Sequence, residues 1–209
     1  MVDRSRPTIS KTRIMAGGQA TVRQQVVRID RETREPLAKP VEQALLDYIL
    51  SLINDMDAVV ISDYGSATVS PVIREKVIAV CRAAGIPSMV DSRYNIMAFN
   101  GIDVVKQNES EAAAALGRPA LDEAGLRAAG QTILGRLNAR AVLISQGPDG
   151  MTLFEATGQC THIPVSNKSE VYDVTGAGDT VVAAMTLALA AGAPYVDAAR
   201  LSNIAAGIV

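Results

Sequence analysis

The run Glu170-Val171-Tyr172-Asp173-Val174-Thr175-Gly176-Ala177-Gly178-Asp179-Thr180 holds the residue types and spacing best suited to chemistry. Gly176, Ala177 and Gly178 carry almost no side chain, so their backbone N–H groups can face an incoming anion. Val181 to Ala191 is apolar and rich in Ala, Leu and Met, which reads as a buried helix entered through a short loop. Thr175 or Gly176 stands in the N-cap region. A helix N-terminus adds a field that favours negative charge at the same spot. Asp179 sits where the helix begins and can accept the proton of an attacking hydroxyl. Together these features suit phosphoryl transfer to an alcohol, with small residues forming an anion hole for the transferred group. For a bare Gly-x-Gly-Asp the plain alternative is a helix start with turn glycines and an acid matched to the dipole.

Strands must bring further polar groups to the same edge. Thr12 to Asp30 alternates loosely around Gly17-Gly18, as a hairpin or two short strands. Arg31 to Pro40 is charged, contains two prolines and reads as a linker. Val41 to Asn54 has an apolar face at helical spacing, and Ala58 to Ser62 is a short apolar strand. Ser70-Pro71 starts a helix that Gly85 ends. Pro87 to Val90 is a strand, and Asn95 to Ile102 a connector. Asp103 to Lys106 is another strand, followed by a helix from Glu109 to Leu116. Leu121 to Leu137 is helical despite Gly125 and Gly130. Ala141 to Ser145 and Met151 to Glu155 form a hairpin about the turn at Gly147 to Gly150, and Cys160 to Pro164 is a last strand. Leu201 to Val209 resembles an unfinished helix, and the chain reads as cut at both ends. Strands alternating with helices predict an α/β fold, a mostly parallel sheet covered on both faces.

Ligands of such sheets gather beyond the C-terminal ends of the strands. Asp63, Asp91 with Arg93, Asn108 with Glu111, and Gly147 with Gly150 each follow a strand there. Singly each reads as a cap or turn residue; four in the same topological position point to an active-site edge.

Composition narrows the classes. The chain has 209 residues, 48% apolar and 20% charged, which excludes disorder and allows a sizeable core. A net charge of −2 without a dense Lys/Arg cluster argues against nucleic acid and anionic membranes as partners. Cys81 and Cys160 lack metal-site spacing and read as reduced and buried. His162, the one histidine, reads as structural. No apolar signal segment or membrane-length run is seen, so a cytoplasmic protein is the expectation.

The longer pattern Asp173-x-Thr175-Gly176-Ala177-Gly178-Asp179, with Ala183 and Ala184 following, resembles the C-terminal signature of the ribokinase (PfkB) family of carbohydrate kinases. The resemblance implies a three-layer ribokinase-like fold, ATP and Mg²⁺ as cofactors, and a sugar or sugar phosphate as acceptor. It makes Asp179 the general base and Gly176, Ala177 and Gly178 the anion hole. It places Asp173 and Thr175 at the phosphate loop, beside a site for a monovalent cation such as K⁺. Asn108-x-x-Glu111 resembles the family's N-x-x-E motif, which acts on Mg²⁺ and phosphate through water, as the ion's preference for oxygen ligands allows. Ser145-Gln146-Gly147-Pro148-Asp149-Gly150 resembles the turn beside the nucleotide phosphates. Asn203 stands where an Asn lies against adenine; alternatively it is a buried Asn satisfied by backbone.

Within the family the chain is most similar to the heptose 7-phosphate kinase branch. Lys11-Thr12-Arg13, Gln19 and Arg28-Ile29-Asp30 resemble its lid strands, Ser62-Asp63-Tyr64-Gly65 its S-D-Y-x-K-G, and Val90-Asp91-Ser92-Arg93 its V-D-P-K. Arg13, Arg28, Asp63 and Asp91 are thereby substrate-binding candidates, the arginines through charge-assisted bonds to a phosphate; alternatively the two arginines are solvated strand residues. Ser66-Ala67 stands where the branch has Lys-Gly, and the lost lysine leaves the acceptor open; Ser92-Arg93 stands for Pro-Lys, where the Ser-for-Pro change reads as a loop difference. The expected layout is a β lid over residues 1–35 and an α/β core over 36–209, with a homodimer through the lid also allowed. The family's N-terminal strand, its G-G motif and its closing helices have no counterpart in the sequence. Alternatives are a fructose-phosphate, ribose or nucleoside kinase, or a nucleotide-binding module without catalysis. The lack of G-x-G-x-x-G after an N-terminal strand argues against a dehydrogenase.

Overall fold

The computed structural model describes residues 2–17, 24–166 and 176–208. Two strands, β1 (Ser10–Ala16) and β2 (Gln24–Arg31), form an antiparallel ribbon of their own. The register pairs Lys11 with Asp30 and Arg13 with Arg28, and it slips between Ile14 and Met15. Side chains alternate across a strand, so Lys11, Arg13, Arg28 and Asp30 share one face. Thr12, Ile14, Val27 and Ile29 share the other. Ile14, Val27 and Ile29 remain nearly half exposed, so this ribbon buries little core.

The main sheet has six strands in the order β3 (Val59–Asp63), β4 (Ser88–Ser92), β5 (Val104–Asn108), β6 (Ala141–Ser145), β7 (Met151–Glu155) and β8 (Cys160–Ile163). The first four run parallel; β7 and β8 join antiparallel, as the short turn after β6 requires. Alternation splits the core in two. Val90, Val105, Val142 and Ile144 pack toward α1 (Lys39–Leu52), α2 (Pro71–Ala84), α3 (Glu109–Ala115) and α4 (Glu123–Leu137). Met89, Val104, Ala141 and Leu143 pack toward α5 (Ala177–Ala190) and α6 (Tyr195–Ala206). The result is the expected three layers.

Local chemistry sets the boundaries. Ser70 caps α2, its side chain accepting the Ile73 N–H, and Gly85 ends the helix in the left-handed region. Pro40 lies in the first turn of α1 rather than in a linker, where its missing N–H has no acceptor to lose. Gly130 sits inside α4 because a Cβ there would stand 2.3 Å from the Phe154 ring, so the helix needs a residue without one. The last helix starts at Tyr195, six residues before the apolar run that signalled it. Cys81 is buried and free as expected, but Cys160 is free and exposed, because β8 is an edge strand. Among the described residues no helix is long and apolar enough to cross a membrane.

Candidate active site

The first turn of α5 leaves its leading backbone N–H groups outside the helical hydrogen-bond ladder. Gly176 is the N-cap residue, with a φ of 95° that suits glycine. The first backbone bond of the helix runs from the Thr180 N–H to the Gly176 carbonyl. The N–H groups of Ala177, Gly178 and Asp179 therefore have no acceptor within the helix. Ala177 and Gly178 belong to the helical turn itself rather than to a preceding loop.

Beneath this turn lies a cation that the sequence reading did not single out. Lys106 Nζ sits 3.1 Å from Asp91 Oδ2, with the lysine side chain only 8% exposed. A Cβ built on Gly178 would stand 3.0 Å from that ammonium, so glycine lets Lys106 reach the helix terminus. Asp91 and Lys106 are register partners on neighbouring parallel strands and share the α5 face. The signal available in the sequence was one charge inside the apolar strand Val104-Val105-Lys106.

Tyr64, part of the Ser62-Asp63-Tyr64-Gly65 run, makes a contact that the run alone does not signal. Its hydroxyl donates to Asp179 Oδ1 at 3.4 Å. Burial, then the charges of Asp179 and Asp91, push the Tyr64 phenol above its ordinary range. Lys11 Nζ lies 5.7 Å from the centroid of the Tyr64 ring, which brings the polar face of the ribbon to the site. Arg28 is engaged by Asp30, with Nε 2.9 Å from Oδ1. Arg13 is its cross-strand partner on the same face.

Asp63 does a different job from the one expected. It is buried, accepting the Ser92 hydroxyl at 2.9 Å and the Gly65 N–H at 2.9 Å. Oδ1 thus holds the turn that carries Tyr64, and Oδ2 ties the end of β3 to the end of β4. Asn108 and Glu111 form a capping box at α3: Asn108 Oδ1 accepts the Glu111 N–H, and Glu111 Oε2 accepts the Asn108 N–H. One carboxylate oxygen of Glu111 remains beyond that box, a donor set that suits Mg²⁺ through water. No group of three or more His, Cys, Asp or Glu side chains gathers to grip a metal directly among the described residues.

Asn108 and Ser145 are register partners, so the turn after β6 adjoins the capping box. Gly147 opens that turn at the surface. At Gly150 a Cβ would stand 2.2 Å from the Ile163 carbonyl oxygen. Asn203 is buried, and its amide donates to the Pro164 carbonyl at 2.8 Å, which is the backbone-satisfied alternative. Gln19, Asp173 and Thr175 lie outside the described residues. The structure thus brings together Asp91, Gly178 and Asp179 with Lys106, Tyr64 and Lys11 of the ribbon. A separate cavity of about 400 Å³, lined by Glu123, Arg127, Gln146, Thr152 and His162, contains none of these groups.

Comparison with known proteins identifies the family and the fold. The chain is 40% identical over 204 residues to the bifunctional protein HldE of Citrifermentans bemidjiense, covering 97% of this chain and 41% of that protein. It is 40% identical over 207 residues to the HldE of Geobacter metallireducens, covering 99% and 41%. The chain therefore spans about two fifths of the length of these curated relatives. Among solved structures it superposes on Escherichia coli phosphofructokinase-2 in complex with potassium, with a TM-score of 0.73, 25% identity and coverage of 89% of this chain and 59% of that one. Arabidopsis thaliana ribokinase complexed with ribose and ATP shares the fold, with a TM-score of 0.70, 19% identity and coverage of 96% and 62%. The model of the pfkB family carbohydrate kinases matches residues 15–209. The chain belongs to the pfkB family of carbohydrate kinases.

Proposed function

We propose that the protein transfers the γ-phosphoryl group of ATP to a hydroxyl of a sugar or sugar phosphate, with a heptose 7-phosphate as the first acceptor to test. The observation that carries this reading is Asp179 in the first turn of α5, beside N–H groups without helical acceptors and above the Lys106 ammonium. Asp179 takes the proton of the acceptor hydroxyl as its oxygen bonds to phosphorus and the bond to ADP breaks. The backbone of Gly176, Ala177 and Gly178, with Lys106, holds the negative charge of the group in transit. Asn108 and Glu111 would hold Mg²⁺ through water, and the ion, when bound, would supply charge neutralisation at the nucleotide phosphates. A monovalent cation such as K⁺ belongs beside Asp173 and Thr175. The polar face of the ribbon, with Arg13 and Arg28, closes over the acceptor and excludes water.

The heptose branch is favoured by the two HldE relatives at 40% identity together with the lid and Ser-Asp-Tyr motifs. Fructose-phosphate and nucleoside acceptors are the rivals. The exposed apolar face of the ribbon, Ile14, Val27 and Ile29, suits pairing with a second copy. ATP as donor places the reaction in the cytoplasm. Coverage of only 41% of the relatives also supports a second reading, in which this chain alone binds nucleotide without turnover.

The test uses the full-length protein with ATP and a panel of sugar phosphates. Asp179→Asn is expected to lower kcat by about 10²–10⁴ while ATP affinity stays nearly constant. Unimpaired turnover in that variant rejects the assignment.

A further inference from the structure

We propose that Tyr64 is the positioning residue for the Asp179 carboxylate and that Lys11 transmits the position of the lid to it. The inference rests on the reading of Asp179 as the base. Tyr64 follows β3 and lies 115 positions before Asp179, yet its hydroxyl donates to Asp179 Oδ1. A donor on Oδ1 fixes the rotation of the carboxylate and leaves Oδ2 for the acceptor hydroxyl.

The backbone around Tyr64 is held from below. Asp63 accepts the Gly65 N–H, and the buried Ser92 hydroxyl donates to the other oxygen of Asp63. Tyr64 is 49% exposed, so its orientation is not imposed by the core. On the lid side stands Lys11, 5.7 Å from the ring centroid. Lys11 is in turn tied to its own ribbon, with Nζ 2.8 Å from Glu32 Oε1 and 3.6 Å from Asp30 Oδ2. A cation over the ring face is attracted to it, so displacement of the ribbon pulls on the ring whose hydroxyl holds Asp179. A phenol with an ordinary pKa near 10 is a donor throughout the neutral range, and burial beside Asp179 shifts Tyr64 further in that direction. One lid residue, one aromatic ring and one carboxylate thus form a line from the ribbon to the reacting atoms.

The experiment compares wild type, Tyr64→Phe, Lys11→Met and the double variant of the full-length protein in steady-state kinetics. The Tyr64 phenol is also titrated by ultraviolet absorbance, assigned as the step missing in Tyr64→Phe. Tyr64→Phe is expected to lower kcat about tenfold with an unchanged KM for ATP. Lys11→Met is expected to lower kcat about threefold in wild type and to have no effect in the Tyr64→Phe background, since coupled residues are not additive. Asp179→Asn is expected to move the Tyr64 titration to lower pH, because it removes a negative charge. Full kcat in Tyr64→Phe, multiplying effects in the double variant, or an unmoved phenol titration would each overturn the proposal. Full turnover in Asp179→Asn would instead strike the base assignment, while the phenol titration still reports on the contact.

Discussion

Lys106 Nζ and Asp91 Oδ2 stand 3.1 Å apart on neighbouring strands, and the ammonium touches the space where Gly178 lacks a side chain. The lysine stem is buried between sheet and α5, so the charge cannot swing into water. A partner carboxylate offsets its desolvation, and the helix terminus above completes a site where an arriving phosphate would meet a fixed cation.

Lys106→Met removes the charge and keeps the stem. It leaves Asp91, whose side chain is 20% exposed, without its cation. Stability is expected to fall by about 2–3 kcal/mol, somewhat less than for a fully buried pair. Adding Asp91→Asn is expected to recover much of that loss in a denaturant titration. Turnover is not expected to return, since the missing cation acts on the phosphoryl group. Recovery of both together would make the pair purely structural.

Gly178→Ala inserts a Cβ 3.0 Å from Lys106 Nζ, tighter than an ordinary van der Waals contact. Alanine is a better helix former than glycine, by about 1 kcal/mol. Melting temperature is therefore expected to hold or rise slightly while kcat falls at least about tenfold through displacement of the ammonium. Wild-type kcat in this variant would show that the contact is slack.

Cys81 is fully buried, and burial, aided by the Asp103 carboxylate, pushes its thiol up to about 11 from 9.0. The folded state binds this proton more tightly than the unfolded chain. Its contribution is complete below pH 9 and is lost as pH rises toward 11, amounting to about 2–3 kcal/mol. Cys81→Ala is expected to flatten the decline of stability in a denaturation series between pH 8 and pH 11. At pH 8 a thiol reagent should label the exposed Cys160 promptly and Cys81 only after unfolding.

Much of this architecture is written locally. Ala141 to Ser145 and Met151 to Glu155 are short apolar runs on either side of a Gly-Pro-Asp-Gly turn, and both strands have the bounds their pattern implies. Ser70-Pro71 and Gly85 bracket α2 because capping depends on residues only three or four apart. The glycine-rich entry to α5, with Asp179 in its first turn, is legible for the same reason. Gly130 shows the limit: its helical position looks weak in isolation, and only the approach of Phe154 from β7 explains it.

The sequence by itself determined the alternation of strands and helices, the glycine-rich entry to α5 and the family pattern, because each is carried by spacing along one segment. Tertiary structure alone decided that Lys106 would lie under Gly178, that Tyr64 would reach Asp179, and that Asp63 would turn inward to Ser92. Those outcomes depend on strand register and on how α5 crosses the sheet. Both follow from the packing of the whole core, which no local run of residues encodes.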